Sequence, residues 1–327
     1  MENTEILLPV HVPSYAKPEV PPAKRSSFIE SNTVEATLED MRNDHIIPVF
    51  VKDNETLVSH TEFIEAAQES AYQIFRGETI LNPDIRLSHP IKGRIPEAKD
   101  KQAKDLLPWE KTLYYERMAF VIEVPSIQAE VGGNQLSLTL GGVKAYNEDN
   151  LYSRTQSDQH FKLFVGFQNK VCTNMCVWSD GYVDSVKVRS VNMLKSAIMD
   201  LLSLYDEEKQ LQRMQQWVNY SLKEEQFAQL VGKCRMYQYL PTDAKKQIQP
   251  MLFGDQQTGA VVRDFYRDQS FCKDSHGDIN LWRLYNLFTG ANKSSYIDSF
   301  LDRSVNAFSI TDEVKSALDG KYSWYLN

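Results

Sequence analysis

The sequence predicts an α+β protein: a curved antiparallel sheet of about four strands followed by a helical C-terminal half, with a small N-terminal α/β unit. Three observations predict it. Period-two alternation runs through residues 119–189, helical spacing takes over near Ser190, and the stretches before residue 109 mix a short helical pattern with proline-rich segments. The expected division is a Pro-rich arm over 1–27, an α/β unit over 28–77, a connector over 78–108, a sheet with its covering helix over 109–205, and a helical region over 206–327.

The arm carries Pro9, Pro13, Pro18, Pro21 and Pro22 without apolar periodicity, so it is assigned no fold. In the α/β unit, residues 46–51 (IIPVFV) are an apolar strand candidate interrupted by Pro48. Lys52–Asn54 reads as a turn, and Leu57-Val58 pairs back. Ser59 and Glu62 have capping-box spacing and open a helix with apolar positions Phe63, Ala66, Ala67, Tyr72 and Phe75, which Gly77 ends. The connector holds Pro83, Pro90, Pro96 and Pro108 among charged residues and is given one short helix near 97–106.

Residues 119–131 and 135–146 form a hairpin around Gly132-Gly133-Asn134. A third strand runs from His160 to Val171, with Phe161, Leu163, Val165 and Phe167 on one face and Lys162, Phe164 and Gln168 on the other. A fourth runs from Tyr182 to Arg189, with Val183 beside Ser185, Lys187 and Arg189, and Val186 beside Asp184 and Val188. Val191, Leu194, Ala197, Ile198, Leu201, Leu202 and Tyr205 then make an amphipathic helix that covers the sheet, and Asp206–Glu208 mark a break. Further helices are expected at 209–218, 222–239, 258–268, 279–289, 296–307 and 312–319. Ser221 with Glu224 and Ser295 with Asp298 read as starts, Gly290 and Gly320 as stops.

A fraction of 42% hydrophobic residues in 327 is enough for real cores. No apolar run approaches the ~18 residues of a membrane span, and the N-terminus lacks a secretory layout, so the expected location is the cytoplasm. Cys172, Cys176, Cys234 and Cys272 are too scattered for a disulfide framework. Net charge of −8 excludes coating of nucleic acid by bulk positive charge and leaves room only for a local patch.

Cofactor chemistry finds little footing. Cys172 and Cys176 lie ~13 Å apart if extended, too far to share a zinc ion, and no second Cys or His pair stands near them. The six histidines show no zinc-hydrolase spacing. No phosphate-binding glycine loop occurs; Gly132-Gly133 and Gly141-Gly142 read as turn and bulge. Asp274–Asp278 reads as a turn with Asp278 capping a helix rather than a cation loop. No catalytic residue, metal or cofactor is assigned.

The sheet window carries the candidate site. Lys144, Arg154, Lys162, Lys170, Lys187, Arg189 and Lys195 alternate with Tyr146, Tyr152, Phe164, Trp178 and Tyr182, against five carboxylates, a net of +2. Cations along a backbone path with aromatic faces under the bases are how single strands are held. The proposed contacts are Lys144, Lys162, Lys170, Lys187 and Arg189 for phosphates, with Phe164 and Trp178 for stacking. A solvated sheet face with edge lysines gives the same pattern.

The stretches IIPVFVKDNETLVSHTEFIEA (46–66), IRLSHPIKGRIPEA (85–98), PWEKTLYYERMAFVIEVP (108–125) and FKLFVGFQNKVCTNMCVW (161–178) resemble an uncharacterised family of bacterial conjugative and mobile elements. FQNKVCTN and LWRLYNLFTGANK (281–293) are similar, more distantly, to the phage/plasmid-like proteins. Neither family supplies site residues. The strand-rich segment followed by a long helix also resembles single-strand annealing proteins of the RecT/Redβ type, an analogy of fold alone. The resemblance implies a setting of horizontally transferred DNA. The first functional expectation is a non-catalytic protein binding single-stranded DNA. The second is a protein–protein module, an inhibitor or adaptor docking a host or element-encoded partner, with self-association allowed and no membrane role. An enzyme ranks third.

Overall fold

A computed structural model describes residues 27–44, 57–149 and 158–326. The arm up to residue 26, the strand and turn expected at 46–54, Tyr152 and Arg154 lie outside these residues. In chain order come β1 (Val34–Ala36), α1 (Leu38–Asp44), α2 (His60–Ile74), β2 (Asp84–Leu87), β3 (Pro90–Arg94), β4 (Lys111–Tyr115), β5 (Arg117–Val131), β6 (Asn134–Ala145), β7 (Gln159–Asn169), β8 (Met175–Cys176) and β9 (Tyr182–Val188). The helical half holds α3 (Val191–Leu204), α4 (Glu207–Trp217), β10 (Ser221–Leu222), α5 (Glu224–Tyr237), α6 (Thr242–Lys245), α7 (Asp255–Arg267), β11 (Ile279–Asn280), α8 (Leu281–Asn292) and α9 (Ile297–Leu318).

The α+β class holds, and the sheet is larger than four strands. It is antiparallel, ordered β1-β2-β5-β6-β7-β8 with β9 also on β7, and it curls into a half-barrel. The added strands come from segments without a strand signature. β2, in the expected connector, pairs with β1 on one side and β5 on the other and buries Ile85 and Leu87. A strand of four residues is too short for alternation to register. The short helix expected near 97–106 is replaced by two 3-10 turns, Pro96–Ala98 and Ala103–Asp105.

The β5–β6 hairpin forms as expected. Gly132 and Gly133 have φ of +56° and +79°, and Val131 pairs with Asn134 across this two-residue turn. Gly141 and Gly142 make no bulge; they sit in regular register between β5 and β7. Their role is close approach, since a Cβ on Gly141 would lie 2.1 Å from the Phe120 carbonyl and one on Gly142 2.4 Å from the Phe63 ring. The irregularity falls instead at Pro125–Ile127, between the pairs Val124↔Leu138 and Gln128↔Ser137, where proline offers no N–H to the ladder. A second register shift, opposite Phe161 and Leu163, breaks the alternation expected in β9. Val183, Val186 and Val188 therefore all pack toward the same core.

Ser59 caps α2 as the spacing predicts: Glu62 N–H donates to Ser59 Oγ (3.1 Å) and Ser59 N–H donates to the Glu62 carboxylate (2.8 Å). Ser190 caps α3 by accepting from Met193 N–H. The later boundaries shift. Ser221 lies in β10, paired with β11, and α5 begins after Lys223; α8 is capped by Asn280 rather than Asp278; Gly290 lies inside α8; and α9 follows Tyr296, not Ser295. The two helices expected at 296–307 and 312–319 are one, because Ser309-Ile310-Thr311 contains no breaker and Thr311 donates back to Ala307 O (2.8 Å). Gly320 ends it at φ +89°.

One core joins sheet and helices. Phe63 of α2 meets Phe120 and Phe161 edge-on, and Trp217, Trp282, Tyr285 and Phe308 of α4, α8 and α9 belong to the same cluster. A second cluster covers the opposite sheet face: Val121, Val143, Phe164, Met175 and Val177 pack under Phe28, Ile29 and the Ile297, Phe300 and Leu301 side chains of α9. Both faces of the central strands are thus dry. No helix among the described residues is long and apolar enough to cross a membrane.

Candidate nucleic-acid interface

The covering of both faces decides where the expected contact residues stand. Lys144 is 0% exposed and paired with the equally buried Asp149; its ammonium also donates to His160 O (3.3 Å) and lies 4.2 Å from the Phe161 ring centre. Burial pushes its pKa down against the pull of Asp149. Lys162 donates to Asp302 Oδ2 (2.9 Å) and to Asp298 O (2.9 Å), both on α9. Burial works to lower its pKa, but Asp302 with Glu148 and Asp184 carries it above the usual range. Phe164 is 2% exposed in the second core.

Trp178 stacks on Phe308 at 5.3 Å, with Arg213 and Lys209 over its ring. Arg189 is exposed and pairs with Asp158, and Lys195 pairs with Glu69. Lys170 and Lys187 stand exposed without an ion pair among the described residues. The fold therefore does not gather these residues on one open face. It spends four of the cations on internal or surface carboxylates and buries both stacking candidates.

Cys172 precedes a turn at Thr173, a non-glycine residue with φ of +57°, and Cys176 lies in β8 in the main core. Burial pushes the Cys172 thiol up to about 11. No group of three or more His, Cys, Asp or Glu among the described residues is arranged to hold a metal. Asp274 closes its turn by accepting from His276 N–H (2.8 Å) and Asp278 N–H (3.0 Å).

Three cations without an ion pair among the described residues stand together on a ribbon outside the main sheet. β3 and β4 pair antiparallel as a separate two-stranded unit with partners Lys92↔Leu113, Gly93↔Thr112 and Arg94↔Lys111. Directly opposed residues share a face, so Lys92, Arg94, Lys111 and Leu113 lie together. Gly93 permits the close pairing on the other face, where a Cβ would come 2.7 Å from Thr112 Oγ1. The base of the ribbon is held by His60, whose Nε2 lies 2.7 Å from Tyr115 O.

The 95–110 loop folds back over this face. Ile95 N–H donates to Glu110 O (3.0 Å), Arg94 donates to Lys101 O, and Lys101 pairs with Glu110, whose other oxygen accepts from Leu107 N–H. Between ribbon and loop lies a groove of about 440 Å³, walled by Lys92, Gly93, Arg94, Lys111, Thr112 and Leu113 of the ribbon and by Ala103 and Leu106 of the loop. Among the described residues no carboxylate lines it. Glu110, the nearest in sequence to Lys111, is buried and turned to Lys101. Lys92 and Lys111 form no ion pair among the described residues, and Trp109, 70% exposed, stands two residues before Lys111.

Neither short strand carries a clear sequence signal. Pro90 and Gly93 disguise β3; the weak clue in KTLYY is its threonine and aromatic content.

Fold and groove define a mixed α+β protein with a two-faced curled sheet and an external cationic ribbon. The chain belongs to the family DUF3871, described as a domain of unknown function from B. Theta genes, whose model matches residues 15–326. No curated protein and no solved structure matches it.

Proposed function

We propose that the protein is a non-catalytic, DNA-associated component of a bacterial mobile element and that it binds single strands through the β3–β4 ribbon rather than through the central sheet. The observation that carries this reading is the groove whose described lining holds three cations and no carboxylate, on a chain whose total charge is −8. Lys92, Arg94 and Lys111 neutralise phosphates, and Trp109 offers a ring for stacking. The mobile-element setting rests on the sequence resemblance given above. Fluorescence anisotropy of a labelled oligothymidylate across a salt series tests the reading. Three phosphate contacts on a single strand give a slope of about −2 in log K against log salt, so affinity falls roughly 20-fold between about 50 and 200 mM. Absence of binding at low salt rejects it.

A second reading, a protein-docking module, draws on a different surface. Met236 and Tyr239 are exposed on either side of Tyr237, whose ring meets Trp324 at 6.4 Å, and exposed Tyr322 stands two residues before that tryptophan. Tyrosine and methionine at a surface are typical of interfaces. A partner retained after nuclease treatment and lost in Tyr239→Ala/Tyr322→Ala favours this reading.

A further inference from the structure

We propose that the ribbon groove is an anchor for one nucleotide of the strand, seating a single base with its flanking phosphates, so that a free mononucleotide competes for it. The inference rests on the single-strand reading and specifies its unit of recognition. A volume of about 440 Å³ falls in the range of small-ligand clefts, which is room for a nucleotide and not for a duplex.

The lining is mixed: Lys92, Arg94 and Lys111 supply three cations, Ala103, Leu106 and Leu113 supply aliphatic surface, and Gly93 and Thr112 complete it. A ligand matching both parts has an anionic edge and a flat, weakly polar body, which a nucleotide supplies and a bare phosphate does not. Lys92 and Arg94 are two residues apart on one strand, roughly 7 Å at about 3.4 Å per residue, and Lys111 faces Arg94 across the ladder. This triangle of charge can engage the phosphates on both sides of one sugar. The neighbouring base then meets Trp109 outside the groove. Anchoring at one position also explains how a short ribbon can hold a strand without an extended basic path, since stacking contributes about 1–3 kcal/mol per base and is indifferent to sequence.

The test is competition on the full chain. Labelled oligothymidylate is displaced by thymidine monophosphate, thymidine or inorganic phosphate at constant ionic strength, and the experiment is repeated with Ala103→Phe, which fills the groove at an exposed position and leaves all three cations. The expected result is full displacement by thymidine monophosphate at concentrations at least tenfold below those of phosphate or thymidine. Ala103→Phe should lose that advantage and weaken oligothymidylate binding several-fold, while the binding that remains keeps its salt dependence through the three cations. Equal potency of monophosphate and inorganic phosphate, or no effect of Ala103→Phe, overturns the anchor and leaves ribbon binding standing. No strand binding by wild type at low salt removes both.

Discussion

Replacing Lys144 by methionine tests whether this lysine serves the fold or a ligand. Its ammonium is sealed against Asp149, with 0% and 1% of the two side chains exposed, and Asp149 spends its second oxygen on His160 N–H at 2.8 Å. Methionine keeps the length and removes the charge, leaving a buried carboxylate with one hydrogen bond. Breaking such a pair from one side costs about 3–5 kcal/mol. Asp149→Leu should cost a similar amount, because the ammonium keeps His160 O and the faces of the Phe161 and Tyr146 rings but no carboxylate hydrogen bond. The double variant removes both charges and leaves the His160 N–H unsatisfied, a loss of about 1–3 kcal/mol. The coupling between the two sites is therefore at least about 3 kcal/mol. Urea unfolding followed by tryptophan fluorescence reads all four proteins. A Lys144→Met loss below about 1 kcal/mol would refute the reasoning, because the pair would then be solvated or broken in solution.

Three further outcomes follow from local geometry. Ser59→Ala removes the cap of α2 and should lower stability by about 1 kcal/mol, while Ser59→Asp should restore most of it in the same urea assay. Gly141→Ala forces a methyl against the Phe120 carbonyl and the Phe164 ring and should cost at least about 1–3 kcal/mol, read as a lowered Tm; Gly133→Ala, with open space around it, should lose only what its positive φ imposes. Because burial raises the Cys172 thiol to about 11, only about one molecule in a thousand carries the thiolate there at pH 8. Iodoacetamide labelling of Cys172, located by peptide mapping, should be slow at pH 8 and rise about tenfold per pH unit up to its pKa. Fast labelling at pH 8 contradicts that burial.

The parts legible in the sequence are those with long periodic signals or a local chemical rule. The alternation of Phe161, Leu163, Val165 and Phe167, the Gly132-Gly133 turn, the Ser59–Glu62 box and the spacing of α3 all place elements correctly because each is fixed by a few neighbouring residues. The misplaced parts depend on distant partners. β2 is a strand because β1 and β5 lie on either side of it, not because Asp-Ile-Arg-Leu favours one. Gly141-Gly142 reads as a bulge until Phe63 and Phe120 supply the reason for having no side chain there.

The basic and aromatic residues of the sheet failed to converge for the same reason. Alternation assigns a residue to a face, but whether that face meets water depends on α9 and Phe28, which are remote in sequence. Lys162 and Phe164 do share a face as the alternation implies, and that face is closed by Asp302, Phe300 and Leu301. The ribbon groove leaves no mark in the sequence because its charges come from two short strands joined by a loop of 16 residues, 95–110, whose own acidic and basic residues blur the local balance.

Paired charge reversals decide whether the interface is the ribbon or the central sheet. One variant carries Lys92→Glu, Arg94→Glu and Lys111→Glu; the other carries Lys170→Glu, Lys187→Glu and Arg189→Glu, the exposed cations of the sheet region. Circular dichroism verifies that both fold, and oligothymidylate affinity is measured at one low salt concentration. The ribbon variant should lose binding by a factor of at least about 100, from three lost contacts and three new repulsions, while the sheet variant stays within about threefold of wild type. Loss confined to the sheet variant would contradict a ribbon interface.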